Sequence, residues 1–417
     1  MEAMDVDVVI VGAGIAGLSC ALTLQKSNLR FVIVEAEDAP GGRIKTDNKD
    51  GFLLDHGFQV LQTSYPEAQK ILDYTSLKLQ KFPAGVAIRY NGKFHIIADP
   101  RHHTRYIFET LTSPVISLKD RIAMLRLSRS VSKGTYEQIF LQPEEKTIDF
   151  LHRQGFSDKF IKIFFVPFFA GVCLDPEIQA SSRVFQYIFR VFSEGDAALP
   201  SQGMGDIPRQ LALRLPKETI LLNSKVASIN DGVATLANGN RIVGRRVVVA
   251  TSQPALEQLL GLPPSHSSIG ESCLYFASEW RPPFREPFLV LNGDGRGPIN
   301  NMAFPSLAAP SYSASGKTII AAVVIGQYLA KEDLKEQVLN QCREWFGNAV
   351  KDWDHLHTYY IEHALPHQKP PTSNPYEIPP PLHEKIRSCG EHQSLPGIQW
   401  ALLSGRKTAE AIVDEIS

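Results

Sequence analysis

Three glycines and one acid are the residues whose spacing most constrains the chemistry of this chain. Residues 8–17 read VVIVGAGIAG, and the next apolar run, RFVIVE, closes on Glu35. Gly12, Gly14 and Gly17 fill a G-x-G-x-x-G pattern between a buried strand and a helix start. In that setting Gly12 permits a tight turn and Gly14 lets the backbone approach a pyrophosphate. Gly17 lets the helix pack close to the sheet. The helix start at Ile15 and Ala16 then presents free N–H groups and a positive dipole end to phosphates. Glu35 lies 23 residues after Gly12, where an acid can accept from ribose hydroxyls. A dinucleotide site is expected. The motif alone does not separate a flavin dinucleotide from a nicotinamide one.

The residues after Glu35 do. They read Ala36-Glu37-Asp38-Ala39-Pro40-Gly41-Gly42-Arg43. Two glycines and an arginine suit a second loop closing over a pyrophosphate, with Arg43 supplying charge and a planar donor fork. The segment resembles the E-x-x-x-x-x-G-G-R signature of the superfamily of flavin amine oxidases, protoporphyrinogen oxidases and phytoene desaturases. Two further stretches are similar to the same family, in family order. Ser224–Ile229 with Arg246–Thr251 resembles its adenine-side strands, which places Val226, Ala250 and Thr251 on the cofactor. Cys389-Gly390-Glu391, followed by Ser404–Ala409, resembles its C-terminal flavin segment. There the head of the last helix, with Ile398, Gln399 and Trp400, is expected beside the flavin. Such a helix N-terminus stabilises the negative charge of two-electron reduction. Trp400 stands where the family has glycine, so it is expected to press on the flavin edge. The resemblance implies FAD, and non-covalent FAD, because the cysteine that links flavin in some relatives is unmatched.

Candidate catalytic groups are few. Asp55-His56-Gly57-Phe58-Gln59-Val60 resembles the family's D-x-G segment beside the isoalloxazine. Gly57 is expected to allow close approach of the ring, with Phe58 next to it. Gln59 reads equally as a hydrogen-bonding partner of ring or substrate and as a surface strand residue. His56 reads first as structural, second as a general base. The amine-oxidase reading meets two departures. Aligning that family's aromatic pair on Tyr275-Phe276 puts Glu271 where its lysine stands, and no lysine occurs from Val226 to Gly316. Gly397 falls where its aromatic cage residue is expected.

Pro167-Phe168-Phe169-Ala170-Gly171-Val172 and Ala198–Gly205 look nearer the desaturase and protoporphyrinogen oxidase branch. Between Phe156 and Phe192 there are ten Phe or Tyr residues. Large rings bury much apolar area at small entropic cost. They read either as a domain core or as a lined pocket broken open at Pro167 and Gly171. The resulting expectation is hydride transfer from a large apolar substrate (polyene, isoprenoid or tetrapyrrole-like) to flavin N5. The rivals are an amine oxidase with altered anchors and an FAD-bearing isomerase with no net redox change.

These sites need elements to hold them. At 417 residues two domains are expected. The expected class is α/β, with a doubly wound, Rossmann-type FAD-binding domain built from 1–80, 216–264 and 382–417. A mixed α+β substrate domain is expected from 81–215, a helical aromatic insert, and 265–381. In the latter, Cys273–Ala277 and Lys317–Ile325 read as strands and 332–346 as a helix. Seven prolines between Pro366 and Pro381 mark an extended loop. Ser117–Lys133 reads as an amphipathic helix with Lys119, Arg126, Arg129 and Lys133 on one face. Such a face is either solvated or a peripheral membrane contact. Net charge is −1, which gives no pull toward nucleic acid. Mean hydropathy is −0.11, and no apolar run reaches the length of a membrane span. Five cysteines without C-x-x-C and 12 scattered histidines, His102-His103 adjacent, give no metal spacing. A reducing compartment is expected: cytoplasmic, or the plastid stroma if a transit peptide was removed. The oligomeric state is left open.

Overall fold

The computed structural model describes residues 4–98, 104–265, 268–326 and 331–416, so His102 and His103 lie outside it. The central strand, Met4–Val11, is apolar on both faces, the pattern of a strand covered on both sides. It pairs in parallel with Phe31–Val34 and with Arg241–Val249. Ile220–Leu221 continues the parallel run beyond Phe31–Val34. Ile386–Ser388 pairs in parallel with the last residues of Arg241–Val249, whose first residues take the antiparallel pair Val233–Leu236 and Val226–Asn230. Val8 and Ile10 pack with the helices Ile15–Leu24 and Ile398–Ile416. Val9 and Val11 pack on the other side with Val226, Ile229 and Leu256. Strands far apart in sequence therefore meet in one doubly wound α/β sheet.

Glycines set the spacing of its helices. At Gly17 a Cβ would lie 2.1 Å from the Gly12 carbonyl oxygen, and at Gly405 it would lie 2.1 Å from that of Ala16. The first and last helices thus touch backbone to backbone, and Ser19 Oγ donates to the Leu402 carbonyl at 2.7 Å.

The second sheet has seven strands, in the order Asp354–Pro366, Ser268–Ser278, Thr318–Ile325, Asn301–Ala303, Leu289–Asn292, Gly85–Tyr90, Lys93–Ala98. All neighbours are antiparallel except Leu289–Asn292 with Gly85–Tyr90. The strands expected at Cys273–Ala277 and Lys317–Ile325 are its centre, and the helix expected at 332–346 is Lys331–Phe346. The hairpin at 85–98 corrects the expectation of a purely helical first insert. Its signal was present: Asn91-Gly92 adopt φ of 49° and 74°, the two left-handed positions of a type I′ turn between alternating strands.

A helical layer packs on the second sheet through Val86, Ile88 and Leu291. Its helix Leu118–Val131 falls within the stretch expected from the charge pattern, and a Ser117–Asp120 capping box starts it. Ala123, Leu127 and Val131 face the core. Leu118, Ile122 and Leu125 form a second, exposed stripe rather than joining that core. The aromatic segment also differs from expectation. Pro167 sits in the first turn of a helix, Val166–Cys173, that follows directly on a widened π-turn, Ile161–Phe165. The π-turn widens the helix just before Pro167, whose nitrogen has no N–H to donate to the preceding turn, so the helix continues through the proline instead of breaking.

Gly405→Ala should destabilise the protein by at least about 1–3 kcal/mol, the typical cost of overpacking a close contact. Urea unfolding followed by circular dichroism checks this, and an unchanged midpoint would show that the two helices can part without cost.

Candidate cofactor and substrate cavity

A cavity of about 1780 Å³ begins at the glycine turn and runs between the two sheets to the helix Leu118–Val131. Small-molecule pockets span roughly 300–1,000 Å³, so this one has room for a dinucleotide and a second molecule.

At its first end lie Gly12, Gly14, Ile15, Ala16, Glu35, Ala36, Gly41, Gly42 and Arg43. Gly12 has φ of 106°, and a Cβ there would meet the Ala250 carbonyl oxygen at 2.9 Å. At Gly14 the nearest atom to a Cβ is Gly42 Cα, 4.0 Å away. That open cradle lies at the head of a helix with no side-chain cap, so its first N–H groups face the cavity unpaired. The second glycine loop closes on the first: Gly14 and Gly41 form a parallel bridge, and Gly41 N–H donates to the Ala13 carbonyl at 3.0 Å. Glu35 is oriented by the backbone, its Oε2 accepting from Ala13 N–H at 2.6 Å and its Oε1 from Glu37 N–H at 3.0 Å. Val226, Ala250 and Thr251 line the same end. Gly17 does not reach the cavity; its role is the packing already described. An uncapped helix start, a bare glycine cradle and a positioned acid are the donor and acceptor set that FAD requires.

Arg43 is already engaged. It forms an ion pair with Glu391, and its Nη1 donates to the Ala364 carbonyl at 2.7 Å. Burial raises the Glu391 carboxyl above its usual range, and Arg43 opposes that rise. Gly390, with φ of 136°, donates its N–H to Ser404 Oγ at 3.0 Å. This ties the C-terminal flavin-like segment to the last helix.

That helix presents only part of the expected face. Ile398 lines the cavity together with Gly397 and Ala401. Gln399 and Trp400 do not. Gln399 Oε1 accepts from Glu67 N–H at 2.8 Å, on the other side of the helix. Trp400 packs against Phe140, Tyr187 and Tyr376, with ring centroids 4.6–5.5 Å apart. Residues 397, 398 and 401 share one helical face and 399–400 lie round the cylinder, so both assignments are corrected and Trp400 presses on no flavin edge.

The turn after strand Phe52–Asp55 is held by Asp55. This buried carboxylate accepts from Thr46 Oγ1 at 2.5 Å, Met204 N–H at 2.9 Å and Tyr312 Oη at 2.9 Å. Burial outweighs these bonds and pushes its carboxyl up to about 6. His56 lines the cavity, stacks on Tyr359 at 4.5 Å and stands 3.1 Å from Asp47 Oδ2. Gln59 lies in the turn, not on a strand, and its Nε2 donates to the carbonyls of Arg43 and His56. Phe58 lines the cavity as well. Gly57 makes room for something other than a ring. With φ of 87°, a Cβ there would lie 2.5 Å from Glu271 Oε1 and 3.0 Å from Ile361 Cδ1. Close approach at Gly57 is therefore to Glu271, which the sequence reading noted only as a replaced lysine. Glu271 lines the cavity, and burial alone pushes its carboxyl up to about 7. An acid opening the apolar strand Ser268–Ser278 was the signal available.

The far wall is aromatic. Phe160, Phe164, Phe168, Phe169, Phe189 and Phe192 line it, and Phe164 stacks between Phe160 and Phe168 with centroids 5.1 and 5.6 Å away. Phe165, fully buried, does not reach it. Gly171 lines the wall too, but its missing side chain leaves room for Asn300 and Asn301. Leu111, Met124, Leu125, Arg121 and Arg129 complete the lining at the helical layer. Among the described residues, no group of His, Cys, Asp and Glu could hold a metal, and no helix is long and apolar enough to cross a membrane.

A doubly wound sheet with a double glycine loop, opening into an apolar chamber, defines the class of FAD-dependent oxidoreductases. Residues 15–413 match the family of flavin containing amine oxidoreductases, and the chain belongs to it. It is 25% identical over 186 residues to protoporphyrinogen oxidase 2 of Arabidopsis thaliana, covering 44% of this chain and 36% of that protein. It is 24% identical over 288 residues to the 15-cis-phytoene desaturase of Narcissus pseudonarcissus, covering 61% and 49% respectively. The chain thus spans half or less of the length of these curated relatives. The structure of a putrescine oxidase bound to putrescine superposes with a TM-score of 0.71 at 15% identity, covering 99% of this chain and 100% of that one. That likeness establishes the shared fold.

Glu35→Ala should weaken FAD binding about ten- to a hundredfold, because an ionised acceptor is worth roughly 1.5–3 kcal/mol. Flavin retained after dilution and gel filtration measures this, and full retention would remove Glu35 from the site.

Proposed function

We propose that this protein dehydrogenates a large apolar molecule, of polyene, isoprenoid or tetrapyrrole kind, held against non-covalently bound FAD. The observation that carries the reading is the continuity of the cavity from the glycine cradle at Gly14 to the stacked rings of Phe160, Phe164 and Phe168. When bound, FAD supplies the two-electron acceptor. The chain supplies the rest. Gly12–Ala16, Glu35 and Gly41–Arg43 hold the dinucleotide, with Val226, Ala250 and Thr251 on its adenine side. Gly390, Glu391 and Ile398 face the ring. In this reading 1–80, 216–264 and 382–417 form the FAD domain, and 81–215 with 265–381 the substrate domain. The phenylalanines exclude water and orient a flat or extended hydrocarbon by its faces. The named relatives, a protoporphyrinogen oxidase and a phytoene desaturase, support this choice of substrate class. Gly397 supports it too: the nearest atom to a Cβ there is Tyr65 Oη at 3.9 Å, so no side chain cages an amine at that point. The five cysteines are free and buried, which fits a reducing compartment, cytoplasmic or stromal.

The chamber is to be filled from a lipid surface. Phe108, Leu111, Leu118, Ile122 and Leu125 are exposed, and the last three share a stripe of their helix with Arg129. Leu111, Leu125 and Arg129 are also cavity lining, so the exposed stripe and the chamber meet. Apolar side chains with basic neighbours suit an anionic interface.

Protoporphyrinogen IX or a reduced polyene should bleach the flavin under anaerobic conditions, and primary amines such as putrescine should not. Bleaching by an amine alone overturns the reading, and substrate turnover without net electron transfer would point to an isomerase. Wild-type protein should co-sediment with anionic phospholipid vesicles, and the triple change Leu118, Ile122 and Leu125→Ser should lower the bound fraction several-fold with FAD content unchanged. Equal sedimentation of the two proteins would confine the stripe to a solvated surface.

A further inference from the structure

We propose that Glu271 is the proton acceptor of the reaction, a carboxyl group held bare at the inner wall of the cavity. The proposal rests on the dehydrogenation reading above. Three observations carry it. Glu271 opens the buried part of strand Ser268–Ser278, between Ile325 and Ile361 on its neighbours, and its side chain lines the cavity. Gly57, which belongs to the turn expected beside the isoalloxazine, gives up its side-chain volume to it: a Cβ would fall 2.5 Å from Oε1. Among the described residues no hydrogen bond or ion pair engages the carboxyl, unlike buried Asp55, which has three donors. A half-buried acid that faces an apolar cavity without a partner is costly and rarely idle.

Among the described residues no fixed counter-charge pairs with it. Its own strand contributes Cys273 and Tyr275, and the turn contributes Asp55 and His56. The neighbouring strand contributes Tyr359, and Ile325 faces it from the other side. Arg43 shares the cavity but is paired with Glu391, and Lys45 stands 3.8 Å from Glu37. Burial therefore governs this group, and it titrates near neutrality, where a general base is most effective. The chemistry balances. A substrate C–H hydrogen would leave with its electron pair as hydride, for which FAD, when bound, would be the two-electron acceptor. A proton on the adjacent atom passes to the Glu271 carboxylate. The double bond forms between those two substrate atoms, which are oxidised.

The test needs no substrate. Reduction places negative charge beside Glu271 and raises its proton affinity. Above pH 7 an ionised Glu271 must then take up a proton together with the two electrons. Each such proton adds about 30 mV per pH unit to the slope of the midpoint potential, since a tenfold change in a two-electron equilibrium is 29.6 mV. Dye-equilibrated potentials of the holoenzyme from pH 6 to 9 should steepen by that amount above pH 7 in wild type, and not in Glu271→Gln. Equal curves in the two proteins overturn the proposal. If the variant does not retain FAD, the wild-type curve still decides: a straight line without a steeper limb overturns it. A failed substrate panel would remove the substrate class and leave this result standing, so the two failures are distinguishable.

Discussion

The contact between Gly14 and Gly41 sets the geometry on which the rest of the structure depends. Two chain segments that leave the sheet separately are brought backbone to backbone there, with no side chain between them. One contributes an uncapped helix start and the other a loop that ends in Arg43. Their closure defines where phosphates can lie, and with that the direction in which a dinucleotide must extend. The second sheet and the helical layer lie along that direction. Glu35 is fastened at the same end of the cavity through Ala13 N–H.

Beyond that clamp the cavity changes character. Its near half is backbone amides and carboxylates, suited to a charged cofactor. Its far half is mostly rings and aliphatic chains, interrupted by Glu271, Asp196, Arg121 and Arg129. Low polarity there strengthens any charge that forms and keeps water from competing for it. Glu271 sits where glycine has cleared space for it. Asp55, two residues before Gly57 and fully buried, is spent on fixing the turn. The two carboxyls differ in role because one is surrounded by donors and the other by hydrocarbon.

The parts legible in the sequence were those in which local chemistry and fold agree. The glycine spacing, the acid after the second strand and the strands at 273–277 and 317–325 are encoded by short-range pattern. The head of the last helix was harder, because Gln399 and Trp400 adjoin Ile398 in sequence but lie round the helix from it. Family order places such a segment near the cofactor without saying which face looks inward. Leu118, Ile122 and Leu125 were hidden for a related reason. An apolar stripe of helical period reads as core, and only the packing of Ala123, Leu127 and Val131 shows that the core lies on another side. Glu271 was visible as a letter, but its meaning came from Gly57, 214 positions earlier.

The meeting of the first and last helices has a consequence for how the chain is made. Synthesis proceeds from the N-terminus at roughly 5–20 residues per second. The strand Met4–Val11 and helix Ile15–Leu24 are therefore exposed while some four hundred residues follow, a delay on the order of tens of seconds. Throughout that interval Ser19 lacks Leu402, Gly17's helix lacks its cover, and Val247–Val249 lack Ile386–Ser388. The cofactor clamp is assembled from the earliest part of the chain but locked by the latest. Nascent protein must keep an apolar helix face and an open sheet edge from other partners until residues 386–416 have been made.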